Sequence, residues 1–457
     1  MKADGTVYRL LDVKINPSPF SRNKIEAFYS LKGETMRNYF KRILMGLIVA
    51  VFGLMSFICL AWGGSAAPET QMTEGIEIRY FAAGKKVIPV LCEIGNWRIV
   101  DIKLPDLVVT NNGKSTINID KVEVFGKSDD TKTVSLEIPG KDLLEAVRNT
   151  ANTLNKNRPP LFSLQVTYGD IVIPEGILSD NGSASAGQSV LLPLSRITYL
   201  HYVGHSKIDS LQVVIAVKDG GETKRLTFPV RLTYYENKSK YIFPLKGNLH
   251  MAFVPLSYIH HRGASSQEFA MDVVGAVQSG ASDFTEISTP NPKKLTDYGI
   301  WGRDILAMGD GVVVEMGDKF PEDRMSDPAK FTDPNYTQAL LKELIGKIGV
   351  TNAVAGNFVT IDHGKGEYSV YCHMKEGSIR VQRGDRIKKG MVIGQVGNTG
   401  NSGAPHLHFQ LMDSADFLMA NGLPVMFENV PPSVIIAEYP VKANTLGFSD
   451  NLFQAIP

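Results

Sequence analysis

Two histidines, His406 and His408, stand one residue apart in the run Ala404 to Phe409. Side chains in a strand alternate between faces, so both imidazoles project to one side while Leu407 points to the other. Imidazoles placed this way can divide the chemistry between them, one binding a metal ion while its neighbour handles protons at a water on that ion. An isolated pair of this kind also arises by chance on surface strands, so its surroundings decide. Seven of the nine histidines lie between His250 and His408. Gln267 to Val274 carries Glu268 and Asp272, and Tyr368 to Met374 carries Tyr371 and His373. Hydrolysing an amide near neutral pH needs a nucleophile stronger than water. A zinc ion held by two imidazole nitrogens and a carboxylate keeps a fourth position open, where it lowers the pKa of bound water toward about 7 and polarises a carbonyl. Further histidines beside it orient that water, stabilise an oxyanion and protonate a leaving amine.

The elements that must position these groups are strands. Gly356 to Gly364 and Tyr368 to Met374 alternate with period two, and the second places Ser369, Tyr371 and His373 on one face, with Cys372 on the other. Asp310 to Val314 is another turn and strand. Glycines at 384, 390, 394, 397, 400 and 403 punctuate very short strands and tight turns, as in a small, tightly wound β-domain. His363 sits in an Asp-His-Gly turn at a strand end, where a structural role is expected. Residues 318–356 read as an insertion, rich in proline and charge until Asp333 and Pro334 open a helix. Leu340, Leu341, Leu344, Ile345 and Ile348 make one apolar stripe on that helix, which suits packing onto the domain rather than a substrate-shaping lid.

The ordered series resembles the lysostaphin-type (LytM-like) zinc metallopeptidases, which cut the peptide part of bacterial peptidoglycan. It comprises an Asp in an F-A-x-D context, a D-G-V-V strand, Y-x-H, G-D-x-x-x-x-G-x-x-I-G and H-L-H-F, and covers residues 241–428. The resemblance implies Zn2+ as cofactor, peptidoglycan peptides as substrate, Asp272 and His408 as metal ligands, and His373 and His406 as catalytic groups. One position departs from the family's pattern. Its usual first ligand is a His four residues before the Asp, and Glu268 stands there. His261, from the preceding His-His-Arg-Gly run, is the expected replacement. Glu268 itself, His260, or a site without metal are the alternatives.

The whole chain is too long for one ordinary domain at 457 residues, and its hydrophobic fraction of 43% supplies ample core. A formal net charge of +1 gives no electrostatic argument for nucleic acid. The three cysteines, Cys59, Cys92 and Cys372, include no C-x-x-C pair, which argues against thiolate zinc and a disulfide framework. Ile43 to Trp62 is an uncharged apolar run of the ~20 residues that cross a bilayer. Arg37, Lys41 and Arg42 precede it, so its amino end is expected inside and the following chain outside. The expected organisation is mainly β. It comprises an amino-terminal segment (1–35, an over-extended start or a tail), a signal peptide or membrane anchor (36–67), a β-sandwich of immunoglobulin-like type (74–236), a compact sandwich- or barrel-like peptidase domain (241–430) and a tail (431–457).

Within the sandwich, Leu107 to Phe125 reads as a hairpin around Asn112 and Gly113, and Leu211 to Tyr234 as another turning at Asp219 to Gly221. Lys141 to Leu154 reads as a helix, Leu200 to His205 as surface and loop, and Glu236 to Lys240 as a polar linker. The expected function is an exported, cell-envelope zinc endopeptidase, in the periplasm or outside the cell, attached to the membrane through residues 43–62 if the segment is uncleaved. A degenerate relative that binds wall or a partner hydrolase without cutting is the rival. A carrier- or phosphotransfer-type barrel module fits the facing histidines less well.

Overall fold

The computed structural model describes residues 70–82, 86–94, 97–128, 132–157, 171, 174, 176–253, 261–275, 288–429 and 452–455. The expected membrane or signal segment and the amino-terminal 35 residues lie outside them. Among the described residues no helix is long and apolar enough to cross a membrane.

Among the described residues, the first half is built from three antiparallel sheets and one α-helix. Thr70–Thr73, Ile76–Tyr80, Leu107–Asn111 and Ser189–Leu192 form one sheet; Tyr199–Gly204, Trp97–Lys103 and Val90–Ile94 form a second. The third runs Glu222–Val230, Ser210–Asp219, Ile117–Ser128 and Lys132–Ile138, with Ser183–Ala184 alongside. The expected hairpin at Asp219 is present, with Asp219 opposite Glu222. The expected helix is Gly140–Asn152. Two expectations fail. Leu107–Asn111 and Ile117–Ser128 are not hairpin partners but belong to different sheets, so the chain crosses between layers at Asn112 and Gly113. The cause is packing: Val109 and Val124 both enter one apolar core, and placing them in separate layers buries each against the other sheet. Tyr199–Gly204, expected as loop, is a strand whose register puts Tyr202 opposite Val100.

The second half centres on a nine-stranded sheet. Its order is Arg386–Ile387, Gly311–Gly317, Asn357–Asp362, Tyr368–Met374, Leu407–Met412, Met271–Gly275, Gly247–Phe253 and Leu452–Ala455, with Gly422–Leu423 beside Leu407–Met412. Leu452–Ala455 falls in the segment expected as a tail, yet it pairs with Gly247–Phe253. All six residues of Leu407–Met412 are buried, because both faces of the sheet are covered. On one face Met271, Tyr371, Leu407 and Phe409 join the main core; on the other Cys372 and Met412 pack with Phe417.

Residues 318–356 leave and re-enter the sheet between two directly paired strands, Gly311–Gly317 and Asn357–Asp362, as an insertion must. They fold into Pro328–Phe331, Pro334–Ile348 and Val350–Ala355. Asp333 caps the middle helix by accepting from the Asn335 N–H, with Pro334 at its first turn. Leu340, Leu341 and Leu344 bury with Phe320, Met325 and Phe331.

The linker is held rather than loose. Tyr235 Oη and the Lys238 N–H donate to Glu367 Oε1 at 2.6 and 2.8 Å, and Tyr241 Oη donates to Oε2 at 2.8 Å. Ile88 and Val90, from the first half, enter the same apolar core as Tyr241 and Phe243.

Candidate active site

Asp272 and His408 lie directly opposite each other on neighbouring strands, so their side chains share a face. His408 Nδ1 is 2.9 Å from Asp272 Oδ1, and His261 Nε2 is 3.0 Å from Oδ2. His261 comes from a short turn, His261–Gly263, before the strand. Asp272, His408 and His261 are 4, 3 and 6% exposed. Among the described residues, one atom from each of these three lies within 4.8 Å of the others, close enough to hold one metal ion.

The donor chemistry fits a cation. Gln410 Nε2 donates to the Ser266 carbonyl, which turns its Oε1 toward His408 Nε2 at 2.9 Å. That nitrogen therefore carries the proton, and the His408 Nδ1 lone pair faces a carboxylate oxygen. His261 repeats the arrangement, with Nδ1 3.2 Å from Gln267 Oε1 and Nε2 aimed at Asp272. Two lone pairs directed at a carboxylate repel it unless a positive charge joins them. Side-chain carbonyls behind the imidazoles fix the tautomers in the way metal-ligating histidines require. Burial opposes ionisation of Asp272, yet with protons in place of a metal ion on the imidazoles that face it, His261 and His406 by charge and His261 and His408 by hydrogen bond hold its carboxyl well below the usual range.

Glu268 is not part of this group. It is buried and lies 4.0 Å from Lys103 Nζ of the first half. His260 falls outside the described residues.

His373 and His406 form the other side of the site, with ring centroids 4.6 Å apart. His373 Nδ1 donates to the Thr399 carbonyl at 2.6 Å, and His406 Nδ1 to the Ala404 carbonyl at 2.8 Å, with Ser402 Oγ at 3.1 Å. Both rings thus hold their proton on Nδ1 and keep Nε2 as acceptor. His406 Nε2 is 3.5 Å from Asp272 Oδ1. Burial is the main cause pushing both below an ordinary histidine, and for His373 the neighbouring imidazoles add to it.

One expectation about faces is corrected here. Cys372, not His373, lies directly opposite His408 and so shares its face. Simple alternation would send His373 into the core with Tyr371. Instead the strand carries an extra residue against Asn357–Asp362, and His373 adopts φ +58°. Such a bulge re-aims a side chain at the cost of a backbone conformation rare outside glycine. Alternation alone gives no sign of it.

His363 stays out of the site: its Nδ1 donates to the Asp310 carbonyl and its Nε2 is 2.8 Å from Ser369 Oγ. Cys372 is buried, and burial, with Asp272 nearby, pushes its thiol up.

Residues 342–421, which include His373, His406 and His408, match the model of peptidase family M23. Over that stretch the chain is similar to M23 peptidases. Among curated proteins, peptidoglycan DD-endopeptidase ShyA of Vibrio cholerae is 41% identical over 58 residues, 13% of this chain and 13% of that protein. Glycyl-glycine endopeptidase ALE-1 of Staphylococcus capitis is 42% identical over 74 residues, 15% of this chain and 20% of that protein. The matched part therefore spans a fifth or less of these relatives. The catalytic domain of lysostaphin from Staphylococcus simulans aligns at 20% identity with a TM-score of 0.20, over 40% of this chain and 88% of that domain. The M23 match begins after His261 and Asp272, and the geometry brings these two to the site.

Proposed function

We propose that the protein is a cell-envelope zinc metalloendopeptidase that hydrolyses peptide bonds in bacterial peptidoglycan. The observation that carries this reading is a buried carboxylate, Asp272, with His261 and His408 converging on it and the His373 and His406 rings tilted against each other alongside. His261, Asp272 and His408 would hold the ion, and the similar curated protein named peptidoglycan DD-endopeptidase supports the substrate class. When bound, zinc supplies a Lewis acid that polarises a carbonyl and makes water a nucleophile near neutral pH.

The chain's own histidines do the proton work. His373 and His406 begin neutral, because burial disfavours their charged form. With Nδ1 tied to a backbone carbonyl, Nε2 of each is the atom that accepts a proton and returns it to the departing amine. A protonated ring donates toward a developing oxyanion. The first half is read as an immunoglobulin-like sandwich over 74–236 that spaces or binds wall, ahead of a peptidase domain over 241–430. Ile43 to Trp62, flanked by Arg37, Lys41 and Arg42, supports export with the amino end inside.

The test is metal content and hydrolysis measured on one preparation. The zinc-loaded full chain should hold close to one zinc and release new amino groups from purified peptidoglycan or synthetic stem peptides. A chain that binds zinc yet releases none across several wall types would replace the enzyme with a wall-binding regulator.

A further inference from the structure

The insertion 318–356 ends up against the loop that holds both proton-handling histidines, and one acidic side chain lies at the centre of the contact. Glu322 is 7% exposed, and its Oε1 accepts the Asn398 N–H at 2.9 Å and Trp301 Nε1–H at 3.2 Å. Its own N–H donates to the Glu376 carboxylate at 2.9 Å. A carboxylate this buried, with its pKa raised by desolvation, needs a reason to be there rather than an apolar residue.

The loop beyond Asn398 supplies one. Asn398 Oδ1 accepts from Ser402 Oγ at 2.7 Å, and its Nδ2 donates back into the insertion, to the Met325 carbonyl at 2.9 Å. Ser402 Oγ in turn lies 3.1 Å from His406 Nδ1. The next residue, Thr399, offers its carbonyl to His373 Nδ1, while its Oγ1 donates to the Met374 carbonyl and accepts the Asn357 N–H. One short loop therefore sets the tautomer of both rings, and the insertion grips it at its first side chain. The approach is close enough to demand glycine: a Cβ on Gly397 would sit 2.5 Å from Glu322 Oε1 and 2.4 Å from the Lys375 nitrogen.

We propose that Glu322 is a positioning residue, acting through Asn398 to fix the loop carbonyls and Ser402 that hold His373 and His406 with Nδ1 protonated. The insertion then serves as a buttress for the proton-handling half of the site. This rests on the roles given above to His373 and His406, but its primary readout does not depend on hydrolysis. The metal donors have different supports, Gln267 and Gln410, and should not feel the change.

The experiment compares E322A, E322Q and N398A in the zinc-loaded full chain labelled with 15N at histidine. Ring nitrogen shifts report the tautomer directly, alongside zinc content, melting temperature, kcat and KM. E322Q keeps an acceptor oxygen and should match the parent. E322A should retain zinc, lose the fixed Nδ1–H form at His373 and His406, and lower kcat by about 10–100-fold with little change in KM, as outer partners of a site do. N398A should act mainly on His406. Unchanged tautomers in a folded E322A would overturn the proposal, and so would an E322Q as damaged as E322A. If E322A does not fold, E322M, which keeps the bulk and loses the acceptor oxygen, takes its place, and unchanged tautomers in it overturn the proposal. Should the parent hydrolyse nothing, the enzyme reading fails while the nitrogen shifts still judge the buttress.

Discussion

The two sides of the site are held in different ways. His261 and His408 are tied to side chains, with an amide behind each ring and the Asp272 carboxylate in front. His373 and His406 are tied to backbone carbonyls of the loop that runs from Gly397 to Ala404. Side-chain donors around one carboxylate form a set that fails together when a member is lost, since each balances the charge of the others. Backbone carbonyls persist whatever side chain faces them. The donor side should therefore be cooperative in metal binding, and the other side separable from it.

The largest effect separates the sides outright. H261A, D272A and H408A should each abolish stoichiometric zinc binding and bring hydrolysis to background. H373A and H406A should keep zinc, yet lose at least ~10²-fold in peptide cleavage, the low end for a general acid–base group. Zinc content by elemental analysis and amine release on the same samples check both halves. A ligand-like loss of zinc in H373A or H406A would erase the distinction between the sides.

How much of this is legible in the sequence depends on the kind of information each residue needs. His406 and His408 are local: His408 lies in the strand Leu407–Met412, His406 immediately precedes it, and both reach Asp272. The insertion is also legible, because Asp333 and Pro334 are a helix start with a physical mechanism. Sequence names His261 but does not separate it from Glu268, since a turn residue's reach depends on where the turn packs. For His373, alternation gives the right neighbourhood and the wrong face, because a bulge is a property of two strands in register and only one is visible in a local pattern. The failed hairpin at Asn112 has the same origin. The turn residues are present, but competition between sheets for Val109 and Val124 decides the pairing.

A middle-sized effect sharpens the comparison through pH, on chain stripped of zinc. His373 and His406 have folded pKa values below their unfolded ones. Between the two values the unfolded chain binds more protons, so their contribution is complete above about 6.5 and declines as pH falls below it. His363 is depressed by burial and acts with the same sign. Asp272 is also depressed, so its contribution survives until pH falls below the ordinary carboxyl range, near about 3.9. Acidification should therefore unfold the metal-free chain in two windows, with a slope of up to about 1.4 kcal/mol per pH unit for each proton. Denaturant titrations from about pH 7 to about pH 3 give the slopes across both windows. The H373A/H406A double variant should flatten the upper window most, and the lower one only by the share that His406 contributes to Asp272; a flattening of the lower window alone would contradict the assignment.

The smallest effect on metal is expected at Glu268, the position where the family places its first ligand. The structure turns this side chain toward Lys103 at 4.0 Å, with both groups largely buried. His261 Nε2 instead lies 3.0 Å from Asp272 Oδ2. E268A should hold zinc like the parent, whereas H261A should not, and the pair compared at equal zinc concentration gives the sign. Its cost should appear in stability, because Lys103 would stay buried near a missing partner. A double-mutant cycle of K103A and E268A isolates that coupling, and truncating Lys103 first should lessen the penalty of losing Glu268. Zinc loss in E268A with normal binding in H261A would reverse the assignment of the third donor and return Glu268 to the metal site.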